Sequence, residues 1–212
     1  ELQVALGAAI LSKDIDAVRR ILGEGADANK NYDETGRHTT TSPLKKAAEA
    51  GDVDVLGLLI EAGGDVNAAV SRDARVYAAL PPLYFAVVSG HVDCARLLLK
   101  KGADVNRALE NGATPLYIAC DKGHVDAARL LLDKGAKADR AAKDGSTPLA
   151  IAKREDHDAV VALLEEHLDS KFPLHAAART GDVDAMTQLL DGGAEVDAKM
   201  DGATPLFVAC EK

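Results

Sequence analysis

Residues 112–136 read GATPLYIACDKGHVDAARLLLDKGA, and the chain returns to this phrase throughout its length. Residues 202–212, GATPLFVACEK, repeat its first half, and residues 91–106, HVDCARLLLKKGADVN, repeat its second. Self-similarity at a fixed period signals a repeat architecture, so it is read before any other feature. Prolines mark the period: Pro43, Pro82, Pro115, Pro148, Pro173 and Pro205 are spaced by 39, 33, 33, 25 and 32 residues. An earlier unit without a proline aligns through Ala5.

Each unit follows one physical plan. Proline suits the first helical turn, where its missing N–H is no loss. Thr114, Thr147 and Thr204 precede their prolines and can cap that turn. Leu44, Leu83, Leu116, Leu149, Leu174 and Leu206 follow the prolines directly. Four residues after each proline stands an alanine: Ala47, Ala86, Ala119, Ala152, Ala177 and Ala209, with Ala9 in the first unit. A side chain that small lets neighbouring helices approach closely. Gly51, Gly90, Gly123 and Gly181 then end the first helix in a tight turn. A second helix follows with apolar residues at helical spacing, as in VDVLGLLIEAG and VDCARLLLKKG. Gly25, Gly63, Gly102, Gly135 and Gly193 close it.

A helix pair of this size cannot bury its apolar faces alone, so stacking must supply the cover. The period, the TPL start and the GADVN ending resemble the ankyrin repeat. The near-complete TPLHxA phrase occurs once, as FPLHAAA at residues 172–178; elsewhere Lys45, Tyr84, Tyr117, Ala150 or Phe207 replaces the histidine. The resemblance implies an all-α solenoid of stacked helix–turn–helix units with β-hairpin finger loops. It covers almost the whole chain, as an array of about six units with partial sequence at the ends. The chain stops at Lys212, at the end of a first helix, so a longer ankyrin protein is expected.

The fifth unit breaks its own rule. It carries Asp156 at the glycine position and Glu165 where other units have Leu22, Ile60, Leu99, Leu132 and Leu190. Its GADVN loop is absent. Two organisations follow. Residues 1–168 form one stack of five units closed by a capping unit, and 169–212 start another that is truncated in the seventh repeat. Alternatively, one continuous stack has lost a loop.

The loops before Pro43 and Pro82 are long: Asn29 to Pro43 is 14 residues and Asn67 to Pro82 is 15, against 9 from Asn106 to Pro115. By the resemblance these loops are fingers, and two enlarged neighbours would project side by side. Both carry aromatic and basic residues, Tyr32, Arg37 and His38 in one and Arg72, Arg75 and Tyr77 in the other. Tyr and Arg are common binding anchors. Equally, long loops are tolerated at little entropic cost and need no purpose.

Composition narrows the functional classes. Apolar residues are 47% of the 212, enough for a core, while aromatics are only 3% with no Trp, so that core is aliphatic. The net charge of −9 comes without a basic stripe, which argues against nucleic acid. No apolar run reaches a membrane span, so no membrane insertion is expected. Cys94, Cys120 and Cys210 are too few and too widely spaced for a disulfide framework or zinc motif, and fit an intracellular, cytoplasmic setting. His91, His124 and His157 recur at one position of successive units. Stacked helices lie about 8–10 Å apart, too far for these rings to share one metal ion. Asp52 and Asp182 hold the same position elsewhere, as a hydrogen-bonding role permits. Neither a Cys–His pair for nucleophilic catalysis nor a phosphate loop is present. No cofactor, metal or small-molecule substrate is expected, and catalysis is not.

The resemblance implies a non-catalytic protein-interaction module, an adaptor or scaffold, binding a partner protein on the concave face and fingers. Positions that vary between units there are Glu49, Val88, Ser89, Glu110, Asn111, Asp121, Lys122, Lys143, Asp144, Arg154 and Glu155, with an apolar patch at Tyr77, Leu80 and Val88. The alternatives are an assembly subunit packed into a larger complex, or the targeting arm of a larger enzyme or channel. The resemblance also implies that Asn29, Asn67 and Asn106 occupy positions open to asparaginyl hydroxylation; a loop asparagine bonding backbone is the simpler reading.

Overall fold

The computed structural model describes residues 1–33, 40–68, 70–73, 76–199 and 203–210, with 33, 40, 70–73 and 76–79 described as backbone alone. Helices come in pairs. The inner, proline-led helices are α3 (Pro43–Ala50), α5 (Pro82–Val88), α7 (Pro115–Asp121), α9 (Pro148–Arg154), α11 (Pro173–Thr180) and α13 (Pro205–Cys210), with α1 (Leu2–Ser12) in the first unit. The outer helices are α2 (Ile15–Gly23), α4 (Val53–Glu61), α6 (Val92–Lys100), α8 (Val125–Asp133), α10 (Asp158–Lys171) and α12 (Val183–Asp191).

Local chemistry sets these limits. Thr114 and Thr147 accept from the backbone N–H of Tyr117 and Ala150, each at 3.2 Å, and Ser42 and Thr204 do the same for Lys45 and Phe207. Gly51, Gly90, Gly123 and Gly181 end inner helices in the left-handed region, with φ between 70° and 76°. Carboxylates of Asp14, Asp52 and Asp182 cap α2, α4 and α12.

Through the first five units inner helices pack on inner helices, α1 on α3, α3 on α5, α5 on α7 and α7 on α9, while outer helices do likewise from α2 to α10. The invariant alanines sit at the contacts, with Ala47, Ala86, Ala119 and Ala152 wholly buried. One core, aliphatic apart from Phe85 and Tyr117, runs continuously from Leu6 to Leu168. At the sixth unit the pattern changes: α11 docks on α10, and neither α9 with α11 nor α10 with α12 forms a contact of comparable extent. Beyond it the inner-helix contact resumes between α11 and α13.

The two long loops are hairpins. β1 (Tyr32–Asp33) pairs antiparallel with β2 (Thr40–Thr41), Tyr32 opposite Thr41. β3 (Val70–Asp73) pairs with β4 (Val76–Leu80), Val70 opposite Leu80, with an irregularity between Ser71 and Asp73. The hairpins are neighbours, β2 against β3. Among the described residues no helix is long and apolar enough to cross a membrane.

Candidate functional site

The repeated polar residues are occupied within the stack. His91 Nε2–H donates to the Glu49 carbonyl at 3.1 Å, His124 to Val88 at 3.0 Å and His157 to Asp121 at 3.2 Å. Each imidazole thus satisfies a carbonyl at the end of the preceding unit's inner helix, one of the groups a helix terminus leaves unpaired. The asparagines form a second ladder. Asn29, Asn67 and Asn106 donate from Nδ2 to the carbonyls of Gly63, Gly102 and Gly135. Their Oδ1 atoms accept from the N–H groups of Asp65, Asp104 and Lys137. Arg107 and Arg140 reinforce it by bonding the Asn67 and Asn106 carbonyls. These side chains join unit to unit, the backbone-bonding reading of both series.

Cys94 and Cys120 are buried in the core, and Cys210 is exposed on α13, unlike its repeat counterpart Cys120. Burial, followed by the charges of Asp52 and Asp93, pushes the Cys94 thiol up to about 11. Burial alone pushes Cys120 up to about 12. The thiolate is the reactive form, and at pH 8 a thiol so raised is ionised to about one part in a thousand or less. A thiol-reactive chromogen at pH 8 should therefore count one fast cysteine, Cys210, in the native chain and three after denaturation. Fast reaction of a second thiol in the native chain would place Cys94 or Cys120 at the surface.

The candidate surface lies on the inner helices and short fingers. Asp121 and Lys122 end α7, and their side chains pair at 2.9 Å. Arg154 and Glu155 end α9 and pair at 3.0 Å. Asp121 is also electrostatically coupled to Arg154, and Glu155 to Lys122, so the four charges alternate in sign within and between units. Hydrogen bonding to Asp121 raises the Lys122 ammonium, and hydrogen bonding to Glu155 raises the Arg154 guanidinium. Behind them Tyr117 is buried; desolvation, then the Asp144 charge, raises its phenol. Asp144 lies on the adjoining finger, where the Ser146 N–H bonds its carboxylate and lowers its pKa. Lys143 N–H donates to the Asn111 carbonyl at 2.9 Å, locking that finger to the one before it. Glu110, Asn111, Lys143 and Asp144 are exposed along this edge. Glu49 and Val88 are half-buried and Ser89 exposed at the matching positions of α3 and α5 and the turn after α5.

Two expected anchors are corrected. Tyr32 is only 5% exposed, and its ring occupies the space a Cβ would need at Gly7 of α1. It wedges the base of the first hairpin against the first unit and offers no free face. Leu80, 8% exposed, closes the second hairpin into the core, so the apolar patch expected at Tyr77, Leu80 and Val88 loses its central member. Arg37, His38 and Arg75 lie outside the described residues, and Arg72 and Tyr77 are described as backbone alone. The aromatic that sequence reasoning passed over is Phe85. It is buried, with the Lys45 ammonium 5.0 Å from its ring centre and Tyr84 edge-on at 5.4 Å. Its position, one residue before the invariant alanine, is filled by Ile118 and Ile151 in the next units, which is the signal for a core residue.

A family model described as ankyrin repeats in three copies matches residues 6–109 and again 106–171, and a single ankyrin repeat model matches 169–200. The chain belongs to the ankyrin repeat family. Ankyrin repeats are generally protein–protein interaction modules, and the fold has the stacked helical pairs and finger hairpins that the resemblance implied. Comparison with curated proteins gives no match.

Proposed function

We propose that this ankyrin array is a non-catalytic adaptor or scaffold that binds a protein partner on its inner face across units three to five. One observation carries this reading. The histidine and asparagine ladders join unit to unit, while Asp121 with Lys122 and Arg154 with Glu155 form ion pairs at the ends of the inner helices. Charged side chains set on helix ends and different in each unit are suited to recognition. Their alternating signs largely cancel at a distance, so selection operates at contact, by charge pattern. A partner would present the opposite alternation, an acidic group towards Lys122 and Arg154 and a basic group towards Asp121 and Glu155. The neighbouring fingers add Glu110, Asn111, Lys143 and Asp144.

The alternative, an assembly subunit held by its outer helices, has its own surface. A groove of about 430 Å³ lies between α2 and α4, lined by Ile15, Arg19, Val53, Gly57, Leu58 and Glu61 among others. Charge-reversed variants separate the two. The native chain is used as bait, bound proteins are identified, and retention of each is compared for Lys122→Glu with Arg154→Glu and for Arg19→Glu with Glu61→Lys, which line that groove. Inner-face binding predicts at least a ten-fold loss with the first pair and none with the second, because leaving close charge pairs unmatched costs about 2 kcal/mol or more. The reverse pattern would assign the partner to the outer face.

A further inference from the structure

We infer that the chain is two separately cooperative ankyrin stacks, the first closed by a polar face built into the fifth unit. The residue five places after each proline is buried in the earlier units: Ala48, Val87 and Cys120 are all wholly inaccessible. In the fifth unit that residue is Lys153, and it is exposed. Seventeen places after the proline, or after Ala5 in the first unit, Leu22, Ile60 and Leu99 are half-buried against the core and Leu132 is 6% exposed, and the fifth-unit counterpart is Glu165. Two apolar contacts that a following unit would cover are thus replaced together by opposite charges. They meet, Lys153 Nζ to Glu165 Oε1 at 2.9 Å, with both side chains still reaching water. Packing a sixth unit over this pair in the ordinary way would desolvate both ions, a penalty that their mutual attraction repays only in exceptional geometry.

The sixth unit avoids the pair. α10 runs for 14 residues where the other outer helices have 9, which carries the chain past the polar face. Pro173 then ends it by disfavouring helical backbone at Phe172, which sits at φ −127°, ψ 67°. Phe172 closes α10 and opens α11 with no side-chain cap at either end. α11 rests on the end of α10, where Asp169 pairs with Arg179 and Phe172 meets His175 edge-on at 5.5 Å. Leu174, Ala177 and Ala178 are buried there, yet they stand apart from the core that ends at Leu168. In a repeat array, stability passes between units through their interfaces. At this junction the inner-on-inner and outer-on-outer contacts of the other units are both reduced, and the α10–α11 contact alone carries the coupling. The inner surface of units one to five therefore ends at α9, and α11 begins another that can be oriented independently.

Hydrogen exchange of the full chain, read by mass spectrometry under native conditions, tests this. Ala119→Gly, in the middle of the first stack, should speed exchange about five-fold, the effect of glycine in a helix interior, in α5, α7 and α9 alike. Ala177→Gly should speed exchange in residues 173–191 while leaving 148–166 unchanged, even if α11 and α12 open fully. Leu189→Ala on α12 is read in the same way and guards against a silent first variant. Acceleration of 148–166 equal to that of 173–191 in either variant would overturn the inference and make the chain one stack.

Discussion

Gly90→Ala is expected to lower the unfolding free energy of the array by about 2–3 kcal/mol, read from urea unfolding. Two terms combine. Gly90 sits at φ 71°, where an L side chain costs about 1–2 kcal/mol. A Cβ built there would also lie 2.9 Å from Cε1 of His124 in the next unit. The imidazole must then move and weaken its bond to the Val88 carbonyl, worth about 1 kcal/mol. The same meeting occurs at Gly51 with His91 and at Gly123 with His157.

The chain itself indicates how to separate the two terms. Its described non-glycine residues at positive φ are Lys13 and Asp156, which hold this same position in the first and fifth units. The units that follow carry Asp52 and Asp182 in place of the histidine, and each aspartate turns inward to cap its own helix. A glycine is thus obligatory where the next unit sends a histidine over it and replaceable where it sends an aspartate. Gly90→Ala combined with His124→Asp forgoes the Val88 bond but lets the aspartate cap α8, as Asp52 caps α4, which offsets about 1 kcal/mol and leaves the backbone strain of about 1–2 kcal/mol. A double variant no more stable than Gly90→Ala alone would show that relief of the ring contact and the new cap together offset nothing.

Leu131→Ala is expected to cost about 3–5 kcal/mol, the range for a fully buried leucine whose cavity cannot collapse. Leu131 is wholly buried between neighbouring units. Its repeat equivalents Leu59, Leu98 and Leu164 are buried to the same extent. Leu189 stands at the same place in the sixth unit, yet it is only half-buried, and α12 has no fully buried residue. Leu189→Ala should therefore cost about 1 kcal/mol, with less area returned to water. Equal losses at the two positions, measured by the same unfolding transition, would mean that the sixth unit is covered as tightly as the fourth.

That contrast shows which signals are local. A proline at a helix start, a threonine cap, a glycine at positive φ and an alanine at a close contact act over a few residues, so a single sequence displays them. The whole unit plan and the helix pairing follow from them, as does the hydrogen-bonding duty of His91, His124 and His157, because aspartate substitutes at that position. The loops before Pro43 and Pro82 were legible as long by their spacing, and as hairpin fingers through the family resemblance. The candidate surface was half legible: the residues at inner-helix ends vary from unit to unit, which singles out Asp121, Lys122, Arg154 and Glu155. Their alternation in sign between units needed the stacked geometry.

By itself, then, the sequence determined the repeat, the limits of its helices and the positions free to vary, since each rests on short-range backbone chemistry. Only the tertiary structure decided that Tyr32 and Leu80 are packing residues, because burial depends on what a distant segment, here Gly7 and the core, places against them. Only it brought Lys153 to Glu165 and set α11 on α10 in place of α9. Which helix covers which depends on the balance of apolar contact and ion desolvation across an interface, and neither partner's sequence states that balance alone.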